Sequence, residues 1–113
     1  MMTLAPEKDA PAGIELNITK QTTDMLTAEI KNNTGEEWFF GEYFSLEVCL
    51  DGVWYVVPTT PEQNWGFNSI AYMLLPGDSR EMEYKLMSYG DLPAGDYRLV
   101  VEDLTAEFSV QYA

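Results

Sequence analysis

At 113 residues the chain can form one domain that buries about two-thirds of its unfolded surface, and it is too short for a second. Nineteen acidic against six basic residues give a net charge of -13, which opposes binding to nucleic-acid backbones and anionic lipid headgroups. The content of 46% hydrophobic and 13% aromatic residues is nevertheless too apolar for a disordered acidic tail. A single cysteine excludes an internal disulfide, and the lack of histidine removes the commonest general base and metal ligand.

The opening MMTLAPEKDAPAG lacks the basic and apolar regions of a signal peptide; residues 1–12 read as a flexible N-terminal tether and 13–113 as the domain. No apolar run is long enough to cross a bilayer, so no direct membrane insertion by this domain is expected, and any lipid anchor or linker would lie upstream. From Gly13 the apolar pattern has a period of two. Ile14, Leu16 and Ile18 alternate with Glu15, Asn17 and Thr19, and Leu26, Ala28 and Ile30 with Thr27, Glu29 and Lys31, which predicts two half-buried strands. The turn NNTG (32–35) follows, with Asn and Gly suited to positive φ. The aromatic block EEWFFGEYFSLEVCLDGVWYVVP comes next and includes Trp38, Phe39, Phe40, Tyr43, Phe44, Trp54 and Tyr55.

Within that block, Phe44, Leu46, Val48 and Leu50 share one strand face, and Tyr43, Ser45, Glu47 and Cys49 the other. Asp51-Gly52 between two β-rich runs is a strong hairpin signal. A two-residue turn pairs Leu50 with Val53 and leaves Trp54 opposite Cys49; a three-residue turn with a glycine bulge carries Trp54 and Val56 inward instead. VPTTPEQNWGFNS reads as a long connection. SIAYMLL is a short strand stopped by PGDS, and REMEYKLM alternates again, with Met82, Tyr84 and Leu86 on one face. DYRLVVE and TAEFSVQY close the chain across a turn at Asp103-Leu104. About eight short strands without a helical period predict an all-β antiparallel sandwich. In LPAGDYRLV, Tyr97 follows a Pro/Gly turn at the start of a late strand, the setting of a tyrosine corner.

Several separated motifs carry a resemblance: NNTG, the FG before YFSLE, DGVWYVVP, IAYMLLPG and LPAGDYR, in that order. Together, over residues 13 to 112, the chain resembles the bacterial immunoglobulin-like domains of extracytoplasmic proteins and lipoproteins of Gram-positive gut bacteria. The resemblance implies an immunoglobulin-like sandwich of about 7–9 strands located at the cell surface or secreted, with no catalytic or binding residues to carry over. Val53 and Val56 depart from it, standing where a charged residue is common.

No catalytic residue or cofactor is expected. Cys49 has no histidine to make its thiolate, and carboxylates raise a thiol pKa. The acid pairs Glu36/Glu37, Glu81/Glu83 and Glu102/Asp103 sit on exposed segments without a cleft. Loop residues Asp51, Asp78, Asp91 and Asp96 offer hard oxygens of the kind calcium takes, but no DxDxDG loop is present and no metal site is assigned. Trp65 and Phe67, in the long connection, either plug the end of the sandwich or project as a recognition loop. With Trp38 and Tyr43 they are the candidate interaction residues, since Trp and Tyr are enriched among interface anchors. Gly52, Trp54 and Tyr97 are assigned structural roles.

These features predict a non-catalytic binding, adhesion or spacer module with a protein or glycan partner. One alternative is an acidic inhibitor or immunity-type protein steered onto a basic partner. The other is a small carbohydrate-binding module that stacks sugars on Trp38, Trp54 or Trp65.

Overall fold

The structure, a computed structural model, describes residues 3–58, 71–86, 89 and 92–111. The described residues form ten strands: β1 (Thr3–Leu4), β2 (Ile14–Gln21), β3 (Met25–Asn32), β4 (Trp38–Phe40), β5 (Ser45–Leu50), β6 (Val53–Val56), β7 (Tyr72–Leu74), β8 (Ser79–Lys85), β9 (Gly95–Val101) and β10 (Leu104–Val110). The excess over the eight expected is the two-residue β1 and the three-residue β4. All pairings are antiparallel, in a five-stranded sheet β1-β6-β5-β9-β10, a three-stranded sheet β2-β3-β8 and a two-stranded ribbon β4-β7. The fold is thus an all-β antiparallel sandwich.

Alternation builds the core directly. Leu26, Ala28 and Ile30 of β3 are fully buried, with Ile14 and Leu16 of β2 and Tyr84 of β8 beside them. From the larger sheet Leu46, Val48, Tyr97, Leu99, Val101 and Phe108 point at the same interior. Each fully buried aliphatic side chain of this kind stabilises the fold by about 1.5–3 kcal/mol relative to exposure. Phe44 precedes β5 but is buried against Tyr84, their ring centroids 5.0 Å apart. Leu50, on the same face by parity, lies beyond the interior at the hairpin tip and is exposed.

The backbone decides the hairpin register that the sequence leaves open. Leu50 pairs with Val53 and Cys49 with Trp54, and both loop residues have positive φ, Asp51 at 53° and Gly52 at 78°. This two-residue turn with positive φ at both centres matches the right-handed twist of its strands. Trp54 therefore faces away from the interior, beside Cys49, while Tyr55 and Val57 pack against the core. The β9–β10 turn falls on Glu102 and Asp103, also at positive φ, one residue earlier than expected, because Leu104 pairs with Val101 and is buried. NNTG makes its turn by side-chain hydrogen bonds rather than positive φ: Asn32 Oδ1 accepts from the Thr34 amide at 2.9 Å and from its hydroxyl at 2.6 Å.

Within the segment 1–12, expected as a tether, residues 3–9 lie against the five-stranded sheet. Thr3 and Leu4 pair with Val56 and Tyr55, and the Ala5 amide donates to the Trp54 carbonyl at 3.0 Å. The segment then crosses the outer face of the sheet. Lys8 Nζ reaches Glu47 in β5, and the Asp9 amide reaches the Asp103 carboxylate at 3.4 Å, beside the β9–β10 turn.

Candidate interaction surface

The β4-β7 ribbon is apolar on both sides because WFF and YML interrupt the alternation with continuous apolar runs. Register assigns Trp38 and Phe40 to the side shared with Leu74 and Tyr72, which packs inward. The Trp38 and Phe40 rings stack at 5.4 Å and Phe40 on Tyr72 at 5.3 Å, and the Arg80 guanidinium lies 4.2 Å from the Tyr72 ring centroid. The opposite side carries the cross-strand pair Phe39 and Met73, which are 54% and 49% exposed, with Leu75 two residues on at 47%. Exposed Glu36 and Glu37 lead into this strip and exposed Asp78 follows it.

Buried Asn32 fixes the ribbon to the sandwich. Its Nδ2 donates to the Glu36 carbonyl at 2.8 Å and to the Leu74 carbonyl at 3.0 Å, so one amide ties the approach to β4 to the end of β7. Its own backbone donates to the Asp78 carbonyl and accepts from the Gly77 amide. The Tyr72 hydroxyl donates to Glu42 Oε1 at 2.6 Å; that bond, then desolvation, raises its pKa above the ordinary value of 10. Phe39 and Met73 thus stand on a ribbon tied to the sandwich by hydrogen bonds at both of its strands.

A second built feature is the outer face of the five-stranded sheet. Glu47 is only 2% exposed, and its two carboxylate oxygens take separate cations, Oε1 from Arg98 Nε at 2.5 Å and Oε2 from Lys8 Nζ at 2.6 Å. The Arg98 guanidinium also lies 4.3 Å from the centre of the Trp54 ring. Charge-assisted bonds of this length offset the desolvation of a buried carboxylate only because both oxygens are partnered.

Of the four expected interaction residues, two fall among the described residues. Trp38 is half-buried in the inward stack, and Tyr43 is 63% exposed between β4 and β5. Trp65 and Phe67 lie outside the described residues. Of the residues assigned structural roles, Gly52 makes the hairpin turn and Trp54 lies half-buried under Arg98 on the outer face. Buried Tyr97 donates its hydroxyl to the Pro93 carbonyl at 2.6 Å, the geometry of a tyrosine corner. Sequence reasoning passed over Phe39, Met73 and Leu75; the available signal was two short strands with no polar residue on either face. Among the described residues no three of His, Cys, Asp and Glu converge to hold a metal ion. A polar hollow on the outside of β2-β3-β8, lined by Thr19, Thr27, Glu81 and Glu83 among others, contains no nucleophile paired with a base.

The sequence model described as "Bacterial Ig-like domain" matches residues 10–112. No curated protein and no solved structure matches the chain. A match over nearly the whole length, on a chain folded as an antiparallel β-sandwich, places it by family: the chain belongs to the bacterial Ig-like domains.

Proposed function

We propose that this domain is a non-catalytic binding module of a bacterial surface or secreted protein, and that it engages a basic protein partner through Phe39, Met73 and Leu75. The observation that carries this reading is the apolar strip itself. Three large apolar side chains close to half exposed or more stand together on a braced ribbon, where desolvating them on contact is favourable and the backbone beneath them is already hydrogen-bonded in place. The partner's charge follows from the surroundings: Glu36, Glu37 and Asp78 border the strip and the whole chain carries -13, so a surface with an apolar centre and a lysine- or arginine-rich rim is complementary. A second copy of this chain would bring like charge to the same border. The extracytoplasmic setting rests on family membership.

The test is retention of the purified chain on cell-surface protein fractions of its source bacterium. Phe39→Glu with Met73→Glu should weaken retention about tenfold or more, as loss of interface anchors does, with the melting temperature unchanged. Equal retention of the variant would remove the strip from the reading. Recovery of the native protein only from the cytosol would overturn the extracytoplasmic assignment.

A further inference from the structure

The family match begins at residue 10, yet the edge of β6 and one oxygen of Glu47 are occupied by residues 3–8. Three observations describe this occupancy. The backbone of residues 3–5 pairs along β6 from Val56 to Trp54, a short ladder that reads no side chain. Leu4 remains 63% exposed, so the contact draws little from apolar burial. Pro6 then turns the chain inward, its carbonyl accepting from Lys8 Nζ at 2.6 Å, and the same ammonium enters the site of the buried Glu47 carboxylate.

The face beneath is made for cover. Glu47 and Arg98 are cross-strand partners on it, and Val100, two residues along β9, is buried although it is not part of the interior core. With residues 3–8 in place Glu47 is 2% exposed and Arg98 takes only one of its oxygens, so a segment that covers this face must itself bring a cation for the other. Backbone pairing at an edge strand supplies affinity, and a single lysine in a fixed position supplies selectivity.

We propose that the β6 edge and Glu47 form a docking groove for an extended peptide strand carrying a lysine four residues beyond the residue paired with Tyr55, and that residues 3–8 fill this groove in cis. The segment is a tethered ligand of its own domain, latched by Lys8. Releasing the latch opens both the strand edge and the carboxylate to an equivalent strand supplied in trans. This groove is separate from the Phe39–Met73 strip and stands or falls without it.

The experiment uses the full chain and, as probe, a labelled peptide of residues 3–12. In the Lys8→Met chain, hydrogen exchange of the Ala5 amide should accelerate about tenfold or more, the factor expected for loss of a hydrogen bond to a charged group, while the Val57 amide, bonded to Leu46 within the sheet, keeps its protection. Lys8→Arg should preserve Ala5 protection. Glu47→Gln should release Ala5 as Lys8→Met does, which separates the latch from any defect peculiar to one variant. The probe should bind the Lys8→Met chain at least about tenfold more tightly than the native chain, and a probe carrying Met in place of its lysine should lose that advantage. Unchanged Ala5 exchange in both variants, or equal binding of the two probes, overturns the proposal.

Discussion

Two buried polar side chains, one in each large sheet, have opposite surroundings. Glu47 of β5 is a full charge on the outer face of its sheet, with a cation on each carboxylate oxygen. Tyr84 of β8 is a neutral hydroxyl at the interior, equally inaccessible, and among the described residues its oxygen has no hydrogen-bond partner. Burying an unpaired charge costs several kcal/mol, whereas an unpaired hydroxyl costs about 1–3 kcal/mol, so only the second is tolerable as a by-product of packing. Tyr84 is held by its ring, which meets Phe44 at 5.0 Å. Glu47 makes no such packing contribution that a leucine would not make better. Its partners on two separate segments, Lys8 ahead of the family match and Arg98 in β9, point to a role in holding those segments together.

The sharpest way to break this contrast is to remove the cation that does not also hold the covering segment. Arg98→Met leaves residues 3–8 over Glu47 with one carboxylate oxygen buried and unpaired, and urea unfolding at neutral pH should show a loss of about 3 kcal/mol. Adding Glu47→Leu to Arg98→Met should restore most of the loss, because a neutral side chain of similar size removes the stranded charge and Lys8 can turn to solvent. If Arg98→Met costs less than about 1 kcal/mol, the carboxylate is reached by water and the contrast with Tyr84 fails. A smaller effect sharpens the other side. Tyr97 is a buried tyrosine like Tyr84 but donates to the Pro93 carbonyl, so Tyr97→Phe should cost about 1–2 kcal/mol in the same titration. Its ring keeps its stack on Phe108, at 5.6 Å, which confines the loss to the hydroxyl.

The sandwich was legible because period-two alternation reports directly which side of a strand is inside. Leu26, Ala28 and Ile30 needed no other information. What alternation cannot report is whether the other side is covered. It placed Glu47 and Cys49 together on the face away from the core, correctly in parity, but Glu47 is buried because a segment that reads as a tether crosses over it. The lysine in that segment and the arginine on β9 are pairwise information, and a single sequence carries no register between distant strands. The hairpin at Asp51-Gly52 shows the same boundary: the turn was evident from its residues, whereas the choice between two and three residues depended on positive φ at Asp51, which an aspartate permits but does not demand. The Phe39 strip was hidden for a third reason. In a run such as WFF every residue looks like core, and only pairing with Met73 separates the exposed face from the buried one.

The smallest expected effect is the most discriminating for Tyr84. Tyr84→Phe removes the unpartnered hydroxyl and keeps the ring, so at pH 7 stability should rise or stay within about 0.5 kcal/mol of the native value. The pH dependence gives an independent reading of the same oxygen. Burial raises the pKa of Tyr84 above the ordinary 10, and burial raises that of Tyr89 also, opposed by a hydrogen bond with the Leu46 backbone. A raised folded pKa means that the unfolded chain releases these protons first. Their contribution is therefore fully present below about pH 10 and is lost as pH climbs above it, with a slope of about 1.4 kcal/mol per pH unit for each tyrosine. Urea titrations between pH 9 and pH 11, in the range where the slope sets in, should show Tyr84→Phe falling less steeply than the native chain by the share of one tyrosine. A native-like slope in the variant would mean that the Tyr84 hydroxyl ionises as freely in the fold as outside it, and that the two buried groups differ less than their surroundings suggest.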